Sequence, residues 1–185
     1  PAGSPVAAHR KVDFSARIQE TENLTIYGNV GNVTIDVNGG SSAKDVAASI
    51  TSRLSETGVS ATAHTRLNIS FEEEPNGTQT TDTVSFNVYG KNAAAVLISA
   101  NVDFGETNGR GADLTDLAAA INGTTGKTGI AASLSIDKST LTMISNDGYD
   151  IATEDYRLVA VQGPAMLVSG ANEDNTAVTG TNTAN

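Results

Sequence analysis

The chain has no cysteine and no tryptophan, and only 4% of its 185 residues are aromatic. Without cysteine there are no disulfides, thiol nucleophiles or cysteine-ligated zinc sites. That absence does not place the protein in a compartment, since cytosolic and exported proteins can both lack the residue. The apolar fraction, 38%, lies below the usual value of about 45–50%. What apolar content there is consists mostly of Val, Ile, Leu and Ala, which suit thin sheets and small helix–sheet contacts. A chain of this length fits one large domain or two small ones and can bury roughly 70% of its unfolded surface. Two small cores are expected rather than one deep one.

Basic residues are also scarce. Eleven Lys and Arg stand against 21 Asp and Glu, a net charge of −10. Phosphate recognition needs clustered cations, and these are scattered, so no nucleic-acid partner is expected. The acidity reads as solubility and mutual repulsion. No run approaches the ~18 apolar residues that span a membrane, so no membrane partner is expected either. The start, Pro1-Ala2-Gly3-Ser4-Pro5, has no initiator Met and no signal-peptide apolar stretch. It reads as a cut point, and the chain is expected to be a fragment.

Catalytic groups are missing at any motif spacing. The two histidines are His9, in a leading tether, and His64, at an expected hairpin tip, and both are expected to be exposed. There is no His-Glu-x-x-His zinc helix and no Gly-x-x-x-x-Gly-Lys phosphate loop. The strings Asn146-Asp147-Gly148-Tyr149-Asp150 and Glu173-Asp174-Asn175 lack the ligand spacing of an EF-hand and read as turns. Glu72-Glu73-Glu74 reads as a solvated strand end. No catalytic, cofactor-binding or metal residue is assigned, no cofactor is implied, and the chain is not expected to be an enzyme.

What is present is periodicity. Val12, Phe14, Ala16 and Ile18 alternate as in a half-buried strand, followed by Leu24 and Ile26, then by Val33, Ile35 and Val37. Ala43, Val46, Ala47, Ile50 and Leu54 fall on one helical stripe, with Ser42 as N-cap and Asp45 in the first turn. Gly58 ends the helix. Val59, Ala61 and Ala63 then pair in an expected hairpin with Leu67, Ile69 and Phe71. Strands recur at Val84, Phe86 and Val88 and at Val96, Ile98, Val102 and Phe104. A second helix carries Leu114, Leu117, Ala118 and Ile121, with Asp113 as N-cap and Gly123 and Gly126 as stops. A second hairpin runs through Leu134, Ile136, Leu141 and Met143. Ile151, Leu158, Val159, Val161 and Met166 to Val168 are read as strands returning to the first half, and an Asn-, Thr- and Gly-rich tail begins at Gly170.

The two helical regions align without a gap at a shift of about 71 residues, within the span of a duplicated supersecondary unit. Asp45 meets Asp116, Ala47 meets Ala118, Ala48 meets Ala119, Ile50 meets Ile121, Thr57 meets Thr128, Gly58 meets Gly129 and Ala61 meets Ala132. Val46/Leu117 and Val59/Ile130 are conservative pairs, and three extra residues in the second hairpin bring Leu67 opposite Leu141. Each shared position has a use: an acid at the helix start, small alanines for close approach, an anchoring Ile, and a Gly to leave the helix left-handed.

The segments Asp113 to Ala132 and Leu141 to Ile151 resemble the flagellin hook IN motif, named for the pair that here is Ile121-Asn122. Ala43 to Ile69 resembles it as a diverged copy, with Ile50-Thr51 in place of Ile-Asn and no Asp-Gly-x-Asp-Ile after Phe71. The resulting expectation is a β-rich α+β fold of two tandem β-α-β-β units, short amphipathic helices packing on small antiparallel sheets. A tether spans 1–11, the units 12–76 and 77–156, returning strands 157–170, and a flexible linker or tail 171–185. The resemblance implies a structural protein, the surface-exposed outer domain of a flagellin in the extracellular filament. Its partners would be other flagellin subunits, met through terminal helices not in this chain. O-linked glycans would sit on exposed threonines such as Thr78, Thr80 and Thr81 or Thr179 to Thr183. A hook-associated cap or junction protein, or an adhesive glycan-binding module, are the alternative readings.

Overall fold

Residues 22–37 form an antiparallel pair, β1 (Glu22–Tyr27) and β2 (Asn32–Val37), with Leu24 opposite Ile35 and Ile26 opposite Val33. The structure is a computed structural model that describes residues 21–72, 81–105, 111–159 and 164–171, together with the backbone of 177–184. The expected strand at Val12 to Ile18, His9 and the loop at Thr78 and Thr80 lie outside the described residues. After β2 come α1 (Ala43–Thr51) and α2 (Leu54–Thr57), then β3 (Thr65–Phe71). Ser42 caps α1 as expected. Its hydroxyl accepts from the Asp45 N–H at 3.2 Å, and the Asp45 carboxylate accepts from the Ser42 N–H at 3.1 Å, a reciprocal capping box.

The second half opens with the long pair β4 (Thr81–Tyr89) and β5 (Val96–Asp103). Then follow α3 (Thr115–Asn122), α4 (Thr125–Thr128), β6 (Ile130–Leu134) and β7 (Leu141–Ser145). The chain closes with β8 (Ala152–Leu158), β9 (Met166–Ala171) and β10 (Ala177–Ala184). Alternation along β4 buries Val84, Phe86 and Val88 completely, as a strand with one face on a core must.

Among the described residues the strands make three antiparallel sheets, β1-β2, β5-β4-β8 and β10-β9-β3-β7-β6. The architecture is the expected β-rich α+β class. The second and third sheets enclose one hydrophobic core with α3 at its side, joining Phe86, Ile98, Leu117, Ile121, Ile130 and Met143 to Leu67 and Ile69 of β3. Phe71 meets Phe104 edge-on at 5.2 Å, and the partly buried Tyr156 donates its hydroxyl to the Pro164 carbonyl at 2.8 Å. The expectation of two small cores therefore gives way to one main cluster drawing on both halves, while Ile35 and Val37 are buried outside it.

Five local expectations differ from the structure. Residues 59–64 form no strand, so the first hairpin is absent: β3 pairs with β7 on one edge and β9 on the other, leaving no edge for Val59 to Ala63. The N-cap of α3 is Leu114, with no side-chain cap; Asp113, one residue earlier, accepts from the Thr115 N–H at 2.9 Å. Gly126 lies inside α4, and Gly129 ends it. Of the strands expected to return to the first half, β9 does so and β8 pairs with β4, while the expected tail contributes β10, paired with β9.

Candidate functional site

Among the described residues, one constellation that recurs is the turn that ends each helical segment. Thr57 is fully buried; its hydroxyl donates to the Arg53 carbonyl at 3.0 Å and accepts from the Val59 N–H at 3.1 Å. Thr128, also fully buried, repeats both bonds with the Thr124 carbonyl and the Ile130 N–H, each at 3.2 Å. Gly58 and Gly129 follow with φ of 75° and 72°. This left-handed conformation is open to glycine and strained for a residue with a Cβ. Their N–H groups close the short helices onto Leu54 and Thr125.

A second shared bridge ties each helix to the segment after the turn. The Thr51 hydroxyl donates to the Ala61 carbonyl at 3.2 Å and accepts from the Ala61 N–H at 3.0 Å. The Asn122 side chain makes the same two bonds with Ala132, donating from Nδ2 at 3.0 Å and accepting at Oδ1 at 2.8 Å. An amide has a separate donor and acceptor, and a hydroxyl performs both roles with one atom. Thr51, which follows Ile50 as Asn122 follows Ile121, thus makes the same contact.

The turns also receive the loop that follows β1 and the loop that follows β4. The Val30 N–H donates to the Thr57 carbonyl at 3.2 Å and the Lys91 N–H to the Thr128 carbonyl at 2.9 Å. A Cβ on Gly28 or on Gly90 would run into those same carbonyl oxygens. Sequence reasoning missed these two glycines. The signal was there: both follow a tyrosine at a strand end, in Ile26-Tyr27-Gly28-Asn29 and Val88-Tyr89-Gly90-Lys91.

The second half further supports the first helix directly. The Gly148 carbonyl accepts from the Lys44 N–H at 3.1 Å, at the start of α1, and the Lys44 ammonium lies 3.7 Å from the centre of the Tyr149 ring, within cation–π range. Gly148 has φ of 71° and packs so closely that a Cβ would strike that of Ala63. The string Asn146 to Asp150 is therefore a turn, as expected, and its job is to hold α1.

His64 is exposed, and among the described residues no group of three or more His, Cys, Asp or Glu could hold a metal ion. Nor is any described helix long and apolar enough to cross a membrane. The perturbed acids serve structure. Asp45 is held below its ordinary pKa first by the Ser42 hydroxyl, and Asp113 first by the Thr115 hydroxyl, with Lys138 at 3.2 Å adding to it. Burial pushes the Tyr156 hydroxyl up, and the bond to Glu154 does the same for Tyr89.

Residues 23–70 match the family model of the flagellin hook IN motif. The match spans β1 to β3 and includes the Thr57-Gly58 turn; it falls on the copy expected to be the diverged one. It covers about a quarter of the chain and supports a flagellin-related variable region, and with it a flagellin-type structural protein of the flagellar filament. That family's place is the flagellum, an extracellular appendage. No curated protein matches this chain.

Proposed function

We propose that this chain is the surface-exposed outer region of a flagellin subunit, built from two copies of the IN unit. The motif match at residues 23–70 carries the reading. Recurrence of the Thr-Gly turn, the Thr51 or Asn122 bridge and the strand-end glycine in the second half supports a second copy. The role is structural, with buried side chains and backbone bonds where an enzyme would gather reactive groups. Polymerisation with other subunits belongs to helical segments outside this chain.

Immunogold labelling of intact filaments with antibody raised against this chain tests the reading. Labelling along the whole filament is the expected result. Gold confined to the tip or the base would overturn it in favour of a cap or junction protein, and gold only on broken ends would remove the surface role.

A further inference from the structure

Asparagine is a chemically labile residue. A glycine after it makes it more so, because without a Cβ the next backbone nitrogen can close on the side-chain carbonyl. The sequence holds Asn-Gly at 38–39, 76–77, 108–109 and 122–123, of which the first and the last lie among the described residues. Asn38 and Asn122 are both exposed, so burial does not separate them. Hydrogen bonding does. The Asn122 amide is held at both ends by the Ala132 backbone, and the Gly123 N–H donates to the Ala119 carbonyl at 2.9 Å. Asn38 and Gly39 instead open the turn between β2 and α1. There the Ser41 N–H donates to the Asn38 carbonyl at 3.0 Å and Gly40 has φ of 87°, as the third position of a type II turn requires. Among the described residues no hydrogen bond engages the Asn38 amide or the Gly39 N–H.

We propose that Asn38 is a site of self-modification, converting in the folded chain to aspartate and isoaspartate, while Asn122 is kept intact by its bonds to Ala132. The Gly39 nitrogen gives its proton to solvent base and attacks the Asn38 side-chain carbonyl carbon. The new C–N bond closes a succinimide ring, and the bond to the side-chain nitrogen breaks, releasing that nitrogen as ammonia. Water then adds to either ring carbonyl and breaks its bond to the ring nitrogen. Opening at the side-chain carbonyl gives aspartate, and opening at the main-chain carbonyl gives isoaspartate, whose backbone runs through the side-chain carbon. Water is consumed, ammonia is released, and nothing is oxidised or reduced. The chain becomes one charge more negative than its −10. At Asn122 the same attack would have to break both bonds to Ala132 and withdraw the Gly123 N–H from the helix. The change at Asn38 falls beside a helix with no buried residue, and the main hydrophobic cluster takes nothing from residues 38–58, so the modified chain keeps its fold.

Peptide mapping by mass spectrometry, on full chain incubated at mildly alkaline pH with and without urea, tests the proposal. In the folded chain the peptide holding Asn38 should gain the mass of OH for NH2 and split into two chromatographic species, while the peptide holding Asn122 stays unchanged. In urea both should convert alike, since only the fold separates them. Asn38 left intact in the folded chain, or Asn122 converting there as fast as Asn38, would overturn the proposal. So would an Asn122 that survives in urea, because its protection would not come from the fold. Gly39→Ala, at a glycine whose φ is not left-handed, should leave the fold unchanged and slow conversion roughly tenfold by crowding the attacking nitrogen. An unchanged rate in that variant would mean direct hydrolysis rather than ring closure, and the proposed route fails.

Discussion

Helices α1 and α3 each lead into a short helix closed by a buried threonine and a left-handed glycine, and they meet different surroundings. In α3, Leu117 and Ile121 are fully buried and Ala118 nearly so, against β5 and β6. In α1 no residue is buried, and the matching Val46, Ala47 and Ile50 border an open groove whose far wall is Ala61 to His64. The hydrogen bonds of the turn that follows are nonetheless the same, down to the buried threonine and the left-handed glycine. The turn is thus a self-contained device set by nearby residues, while burial of the helix depends on what the rest of the chain lays over it. Where β6 pairs with β7, α3 is covered; where residues 59–64 pair with no strand, α1 is not.

The sharpest way to break this comparison is to truncate the matched isoleucines. Ile121→Ala should lower unfolding free energy by about 3 kcal/mol, and Ile50→Ala by about 1 kcal/mol because that side chain is already partly in water. Urea unfolding of the two variants decides it, and equal losses would mean the helices are equally buried. The strand-end glycines should behave in the opposite way. Gly28→Ala and Gly90→Ala each place a methyl against a backbone carbonyl that cannot retreat, at about 2 kcal/mol apiece, and a large inequality would show that the two turns differ.

A smaller effect is expected at the helix-to-segment bridge. Asn122→Ala removes both partners of the Ala132 backbone and should cost about 1 kcal/mol. Asn122→Thr should recover most of it, because Thr51 makes the same pair of bonds in the first unit. No recovery in the thermal midpoint would mean that the two bridges are not equivalent.

The smallest effect is a pH dependence. Asp45 and Asp113 are both held below the ordinary value of 3.8 by hydroxyl donors. A carboxylate whose folded pKa is depressed stabilises the fold above its unfolded pKa, and the contribution is lost as pH falls through the folded value. Both groups face solvent, which screens the effect. Urea midpoints should therefore fall slightly more between pH 5 and pH 2 (about the titration range of such acids) in the parent than in Asp45→Asn or Asp113→Asn. An identical fall in all three would remove these acids from the acid response.

Much of this was legible in the residues. Alternation located β4 through Val84, Phe86 and Val88, and β2 through Val33, Ile35 and Val37, because a strand with one apolar face has a period of two whatever it pairs with. Gly58 and Gly129 were readable as helix ends because the left-handed conformation selects the residue type. The neighbours of β3 were not readable. Leu67, Ile69 and Phe71 state that the segment is a strand, and the same letters serve for pairing with residues 59–63 or with β7 and β9. The alternating run at Val59 to Ala63 favoured the local choice, and long-range competition for the two edges decided otherwise. The Asn- and Thr-rich composition of 177–184 likewise concealed β10, whose ladder with β9 is made by backbone groups. At the recurring turn, the threonine, alanine and glycine positions were visible as identities, whereas the Thr51 bridge and the Tyr-Gly ends needed geometry to be recognised as shared.

The central position of β3 has a consequence in time. Its two neighbours, β7 and β9, both lie much later in the chain, so a nascent or newly released polypeptide carries β3 with neither edge satisfied until the second half has emerged. Contacts this distant in sequence form slowly, and an apolar strand left waiting is exposed to pairing with the wrong chain. Completion of the five-stranded sheet is therefore a late event that commits both halves together.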